Sequence, residues 1–533
     1  MNSTGQLRSS NKPSDRLELG PFKNHPLFVG KDDPDARRSF QQALAKVRSQ
    51  LGRSYSLFVA GSDLTTDKTF RSVNPADPDE VIGVICQATE AQLDQAIQAA
   101  QEAFLDWRDV PASVRVKYLL AAAELLRKRI YYYSAWQVLE EGKQWDQAYN
   151  DVAEAIDFLE YYSRQALQLD HLLDLGSYAS EKNEYFYQPK GLTAVIAPWN
   201  FPLAISCGMV SAAIAVGSCV LYKPSSQSAV VGHHLVEVFR EVGLPSGVFN
   251  YLPGPGSLVG QYLAEDPRIA VIAFTGSMEV GLKLTELAAK PRPGQDHLKK
   301  VIAEMGGKNA IIIDEDADQD RAISAVLYSA FGYQGQKCSA CSRLIVVDRV
   351  YDRFVPRLVE SAARLKIGPA EDPANYMGPV IDQAAQQKIQ SYIDLAAKEG
   401  KIICRSDVPK KGFYVPMTIV EGITPDCRIA QEEIFGPVLA VMRTRDFDQA
   451  IEWANSTRFA LTGAVFSRNR QHLEQARRHF RVGNLYFNRH CVGAMVKVQP
   501  FGGFKLSGTG TKAGGPDYLL HFVDPRCVTE QPM

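Results

Sequence analysis

Three residues in this chain carry side chains suited to covalent or proton chemistry, and each sits where a regular element gives way to a loop. Cys338, in GQKCSA, follows a helical run and precedes an apolar strand. A thiol among small residues and backbone amides is a nucleophile if its pKa is lowered, and otherwise a packed cysteine. Glu304, in VIAEMGGKNA, ends a strand and is followed by two glycines that allow close backbone approach. Its carboxylate is either a base for water or a helix-cap partner. Asn200, in PWNFP, offers an amide donor to a developing oxyanion from a loop that prolines stiffen. The plain alternative for that loop is a rigid packed corner. Trp199 and Phe201 beside it could stack on a ligand or wall a pocket. No histidine lies near Cys338, so a Cys–His pair has no local support.

Cys338 and Cys341 form a CxxC. Zinc would need two more ligands, and neither a second CxxC nor a histidine cluster is evident, so no metal is expected. The nine cysteines are scattered and odd in number, which fits a reducing compartment rather than a disulfide scaffold. No GxGxxG opens the first strand. Glycines recur instead in GPGSLVG at 254–260 and GSMEVG at 276–281. Either could present amides to a phosphate or be only a tight turn. Lys223, in LYKPSS, sits at the end of a strand, where it could reach a ribose hydroxyl or a phosphate, or simply face solvent.

The elements that must position these groups follow from the hydrophobic pattern. Helical spacing predicts helices over 34–52, 91–106 and 112–165, with short strands at 56–60 and 81–86. From residue 191 onward, apolar runs without alternation (GLTAVIAPWN, SCVLYKPS, VFNYLPG, IAVIAFTGS) are separated by helical segments at 226–247 (SQSAVVGHHLVEVFREVGLPSG, closed by glycine and proline), 257–265 and 278–290. That pattern predicts a parallel sheet covered on both faces, with ligands outside the carboxyl ends of its strands. A second αβ series starts near 300, with strands in AIIIDE and SRLIVV. The aromatic, polar stretch 177–191 fits no βαβ unit and reads as an excursion, a hairpin that could pair with another subunit.

The chain has 533 residues, room for two or three domains. A 45% hydrophobic, 22% charged composition is that of a globular protein. The formal net charge of -1 provides no basic field to gather nucleic acid. The polar N-terminus lacks the apolar core of a secretory signal, and no apolar run reaches the length of a membrane span. A cytoplasmic protein is the expectation.

In order and spacing, PWNFP at 198, KPSSQS at 223, FTGSMEVG at 274, EMGGKNA at 304, GQKCSA at 335, EEIFGPV at 432 and PFGGFKLSG at 500 resemble the NAD(P)-dependent aldehyde dehydrogenases. The resemblance runs from about residue 55 to the end. It is nearest the branch that acts on L-glutamate γ-semialdehyde, through the segments 141–166, 331–343 and 483–508, FKNHPL at 22 and TKAGGPDYLLHF at 511. It implies an α/β fold with a Rossmann-like cofactor domain, an α/β catalytic domain and a small β oligomerisation element. The implied divisions are 1–175 as the N-terminal part of the cofactor domain, 176–192 as an oligomerisation hairpin, 193–305 as the Rossmann-like domain, 306–505 as the catalytic domain and 506–533 as an oligomerisation tail.

The resemblance also implies roles. Cys338 becomes the nucleophile, Glu304 the base that activates water, and Asn200 with the Cys338 amide the oxyanion donors. Trp199, Lys223, Ser226, Gly256, Ser257, Ser277, Glu433 and Phe435 become cofactor contacts. Glu140 meets the substrate ammonium, Gly493 and Ala494 offer amides to its carboxylate, Ser339 adds a hydroxyl, and Phe201 and Phe501 pack its aliphatic chain. NAD is the implied cofactor. Ser226 stands where many NAD-preferring relatives carry an acid, so NADP is acceptable as well. Val492 stands where relatives often carry threonine. Cys341 is expected to pack rather than to form a regulatory disulfide. A homodimer or higher homo-oligomer is implied, with a separate proline dehydrogenase as candidate transient partner. A member acting on another semialdehyde and a scaffold that has lost its chemistry remain the alternatives.

Overall fold

The fold is described from a computed structural model that covers residues 17, 19–171, 173, 175, 176, 178 and 180–531. The polar stretch 1–16 lies outside the described residues, as do Ser177 and Ala179 of the excursion. The non-alternating apolar runs become the strands of two seven-stranded sheets. In the first, the spatial order is Lys300–Glu304, Ile269–Thr275, Leu192–Ile196, Val220–Lys223, Phe249–Tyr251, Leu57–Val59 and Ser62–Leu64. The first five are parallel, and the last two close the sheet antiparallel. The chain lays down Leu192–Ile196, moves outward through two strands, then returns to the other side with Ile269–Thr275. That reversal creates a crevice at the carboxyl ends of Leu192–Ile196 and Ile269–Thr275.

The second sheet runs Lys401–Arg405, Thr418–Glu421, Val438–Thr444, Cys341–Val347, Asn309–Ile313, Thr462–Phe466 and Asn484–Phe487. Only its first pair is antiparallel. Its central strands are buried on both faces, as their isoleucine and valine runs require. The chain passes between the sheets at one point. Glu304 ends the edge strand of the first, and Asn309 begins a central strand of the second.

The predicted helix over 112–165 is three helices, Ala112–Lys128, Ile130–Glu140 and Trp145–Leu169. The second break comes at Gly142, whose φ of +64° leaves helical space. The turn buries Lys143 against Asp151 of the next helix, with Nζ and Oδ2 2.6 Å apart and both side chains at 0% exposure. The other Asp151 oxygen accepts the Ala204 N–H at the start of Ala204–Val216. The segment FKNHPL clasps the same long helix, since Asp157 accepts Asn24 Nδ2 at 2.7 Å and the His25 N–H at 2.6 Å.

Among the described residues, the stretch before Lys182 makes one antiparallel bridge to the residues after it, Leu173 to Tyr185. The excursion holds one strand, Lys182–Pro189, paired along its length with the C-terminal strand Val523–Glu530. The excursion and the expected tail therefore form one two-stranded ribbon.

Removing one member of the Lys143–Asp151 pair leaves the other charge buried and alone. Asp151→Ala should cost about 3–5 kcal/mol, read as a fall in the calorimetric unfolding midpoint. Lys143→Met with Asp151→Leu together should recover most of that loss.

Candidate active site

Everything converges where the chain crosses between sheets. A side chain on Gly307 would meet the Cys338 carbonyl at 2.6 Å, and one on Gly306 would strike the Glu433 carboxylate. Two missing Cβ atoms thus let the nucleophile loop and Glu433 close on the crossing. The Gly307 N–H donates to Glu433 Oε1 at 2.9 Å. Asn309, which sequence reading passed over, donates to the carbonyls of Cys338 at 2.7 Å and Ala340 at 2.9 Å. Its own oxygen accepts the Thr462 N–H. The only sequence signal for Asn309 was its place in EMGGKNA.

The loop before Cys338 is strained. Tyr333, Gln334 and Gly335 are all left-handed, with φ of 54°, 58° and 68°. Two non-glycine residues in that region cost about 1–2 kcal/mol each. The Gln334 amide donates to the carbonyls of Gly142 and Pro379, and the Ile381 N–H donates to Gln336 Oε1. Such bonds contribute about 0.5–1.5 kcal/mol each and, with Tyr333 buried at 0% exposure, oppose the strain, although the Tyr333 hydroxyl, Gln334 Oε1 and Gln336 Nε2 are buried without partners. Across the seam, Asn200 Nδ2 donates to the Gln336 carbonyl at 3.1 Å. The sequence-predicted Asn200, Glu304 and Cys338 are therefore gathered at one place, from both sheets.

Burial, with Glu433 and Glu304 nearby, pushes the Cys338 thiol up to about 12, against a small opposing effect from the Ser339 N–H. Burial also raises Glu433 to about 7 and holds Glu304 well above the carboxylate range. Glu304 Oε1 accepts the Thr511 hydroxyl at 3.1 Å, while Oε2 is buried without a partner.

Trp199, Lys223, Ser226, Gly256, Ser257 and Ser277 stand at or after the carboxyl ends of strands of the first sheet, while Glu433 and Phe435 come from the second half of the chain. Trp199 and Phe435 meet edge to face at 5.5 Å. Lys223 is buried, donates only to the Pro224 carbonyl, and is lowered to about 8 by burial. Ser226 begins a short helical turn, and Gly256 and Ser257 are exposed at the start of another. Ser277 Oγ caps the helix Met278–Ala288 by accepting the Val280 N–H. This donor set of an underused buried ammonium, exposed glycine amides and a helix N-terminus fits a dinucleotide phosphate and ribose.

On the substrate side, Gly493 is left-handed at φ 69° and exposed. Among the described residues, no acceptor takes the Gly493 or Ala494 N–H. Ser339 lies at the site, its carbonyl bonded by Thr462 Oγ1 and Cys491 Sγ. Phe501 pairs with Ala513 through both backbone bonds. The Lys143 ammonium sits 4.4 Å from the Phe201 ring centre.

Glu140 is a correction. It is 1% exposed, and its two oxygens accept the Ser72 hydroxyl and the N–H groups of Val230 and Val231. It caps the helix Ala229–Glu241 and has no oxygen left for a ligand. Glu154 is half-buried, is raised to about 8 by burial with Asp151 and Asp157 nearby, and acts electrostatically on Cys338. Its spacing from Asp151 and Phe158 put it on the inward face, but sequence alone did not show which partner that face meets.

Cys341 is 2% exposed, and its thiol donates to the Arg343 carbonyl at 3.4 Å. All nine cysteines are free, and no group of metal-ligating side chains occurs among the described residues.

The aldehyde dehydrogenase family profile matches residues 63–528, and the chain belongs to that family. It is 48% identical over 511 residues to 1-pyrroline-5-carboxylate dehydrogenase of Geobacillus thermodenitrificans, covering 96% of this chain and 99% of that one. A crystal structure of 1-pyrroline-5-carboxylate dehydrogenase from Thermus with bound NAD superposes with a TM-score of 0.95 at 47% identity, covering 97% of this chain and all of that one. Proline utilization A from Bdellovibrio bacteriovorus also gives 0.95 at 47% identity, with 97% of this chain matching 54% of that one.

With its thiol raised so far, ligand-free Cys338 should be alkylated slowly at neutral pH. The rate with iodoacetamide should climb about tenfold per pH unit from pH 7 to 9, measured by mass spectrometry of the Cys338 peptide.

Proposed function

We propose that the chain oxidises L-glutamate γ-semialdehyde, the hydrolysed form of 1-pyrroline-5-carboxylate, to L-glutamate. The observation that carries this reading is the meeting of Cys338, Asn200 and Glu304 at one crossing, in a chain nearly half identical to relatives of that name. The Cys338 thiolate attacks the aldehyde carbon. Asn200 Nδ2 and the Cys338 N–H receive the oxygen as it becomes anionic. NAD, when bound, supplies the two-electron acceptor that turns this adduct into a thioester. Glu304 then takes a proton from the water that attacks the thioester, and Sγ leaves as thiolate.

Lys223 and Glu433 hold ribose hydroxyls, Ser226, Gly256, Ser257 and Ser277 face the adenosine and pyrophosphate side, and Trp199 and Phe435 border the ring. Ser226 places no carboxylate against a 2′-phosphate, so NADP is accepted alongside NAD. The Gly493 and Ala494 amides and the Ser339 hydroxyl hold the substrate carboxylate, Glu154 its ammonium, and Phe201 and Phe501 its methylenes.

The ribbon of Lys182–Pro189 and Val523–Glu530 leaves strand edges for a second copy of the chain, which supports a homo-oligomer. A separate proline dehydrogenase is the proposed transient partner. No described helix is long and apolar enough to cross a membrane, and the cytoplasm is the proposed location.

Purified protein with the semialdehyde and NAD should show reduced-nicotinamide absorbance that Cys338→Ala abolishes. Glu154→Gln should raise KM by about threefold, less than the loss of a fully charged partner, because burial holds the Glu154 carboxyl at about 8 and the substrate ammonium must first draw off its proton. Strong turnover on another aldehyde with little on this one would sink the substrate assignment and leave the nucleophile standing.

A further inference from the structure

The segment Gly502–Lys512 wraps the carboxyl of Glu304 more closely than a turn requires. A Cβ on Gly502 would stand 2.7 Å from Glu304 Oε1, and one on Gly508 would stand 3.4 Å from Oε2. Backbone bonds fix the wrapping. Met305 N–H donates to the Ser507 carbonyl, and Thr509 N–H to that of Ala303. Glu304 and Gly508 form an isolated antiparallel bridge. Within this collar only one side chain binds the carboxyl, the Thr511 hydroxyl at 3.1 Å from Oε1. The next residue, Lys512, does not pair with it. Its ammonium is anchored on three oxygens, the carbonyls of Gly483 at 2.7 Å and Gly502 at 2.5 Å and Asn484 Oδ1 at 3.1 Å. A cation so tied cannot collapse onto Glu304, yet it acts on it electrostatically.

We propose that Thr511 and Lys512 are positioning residues for Glu304. The Thr511 hydroxyl fixes one carboxyl oxygen and leaves the other for water, while anchored Lys512 supplies the positive field in which the carboxyl ionises. This rests on Glu304 being the base. Deacylation needs a carboxylate at neutral pH, and burial alone drives Glu304 towards its neutral form. The titratable groups facing it are Lys512, Cys338 and Tyr518. Tyr518 and Cys338 are themselves pushed up by burial and by Glu304, so Lys512 is the one cation among them. In the step concerned, water oxygen bonds the acyl carbon, the carbon–sulfur bond breaks, sulfur leaves as thiolate, and the water proton passes to Glu304.

The test is the lifetime of the acetyl-enzyme formed on full-length protein by p-nitrophenyl acetate, followed by intact mass from pH 6 to 9. Parent, Thr511→Val, Thr511→Ser, Lys512→Met, Lys512→Arg and Glu304→Gln are compared, with release of p-nitrophenolate reporting acylation. Lys512→Met should move the midpoint of the deacylation profile upward by about one pH unit and lengthen the lifetime about tenfold at pH 7, with acylation retained. Thr511→Val should lengthen the lifetime at every pH and also move the midpoint upward, because the lost hydroxyl bond had favoured the carboxylate. Serine at 511 and arginine at 512 should restore each. Profiles of Thr511→Val and Lys512→Met that overlay the parent, while Glu304→Gln stalls deacylation, overturn this inference alone. A Glu304→Gln acetyl-enzyme that turns over like the parent overturns the base assignment and this inference with it.

Discussion

The site depends on a four-residue crossing, Met305–Lys308, between the edge of one sheet and the centre of the next. Any Cβ at Gly306 or Gly307 would force apart Glu433, the Cys338 carbonyl and the crossing itself. Because both are glycine, a carboxyl strand end of the cofactor sheet abuts the amino end of Cys341–Val347 in the catalytic sheet. An α/β sheet collects ligands at its carboxyl ends. A second sheet brought up amino end first can place a nucleophile against such a ligand only through a link this thin.

Closeness has an electrostatic consequence. Glu433 and Glu304 both disfavour ionisation of Cys338, and burial disfavours ionisation of all three. The resting site therefore keeps its protons. A cation entering the cleft reverses the sign for the whole group, since one positive charge stabilises several neighbouring anions at once. Lys308, buried and lowered to about 7 without a hydrogen-bond partner, acts electrostatically on Glu433 and is only partly charged at neutral pH.

Much of this was legible in the sequence where local rules coincide with global ones. Apolar runs without alternation could only be doubly covered strands, and Glu304 and Cys338 sat at strand boundaries that the structure keeps. The continuous helix over 112–165 was misread because alanine and leucine spacing persists through breaks made by Arg129 and Gly142. Glu140 and Glu154 were indistinguishable as helical acids. Only the docking of Ala229–Glu241 against Glu140 assigns it to capping, and only the approach of the Cys338 loop makes Glu154 face the site. Asn309 and Thr511 act through partners 29 to 207 residues away, contacts that no local window contains.

On the proposed mechanism, the strained loop explains how Asn200 is ready before a substrate arrives. An amide group has two hydrogens. One is committed to the Gln336 carbonyl, at 3.1 Å, in the stretch that Tyr333, Gln334 and Gly335 force into left-handed turns. That commitment fixes the plane of the amide and leaves the second hydrogen directed by covalent geometry rather than by a search. A donor oriented in advance stabilises developing charge without reorganising as charge appears. The energy stored in two left-handed residues is thus the local cost of aiming a donor carried by one sheet at a nucleophile carried by the other.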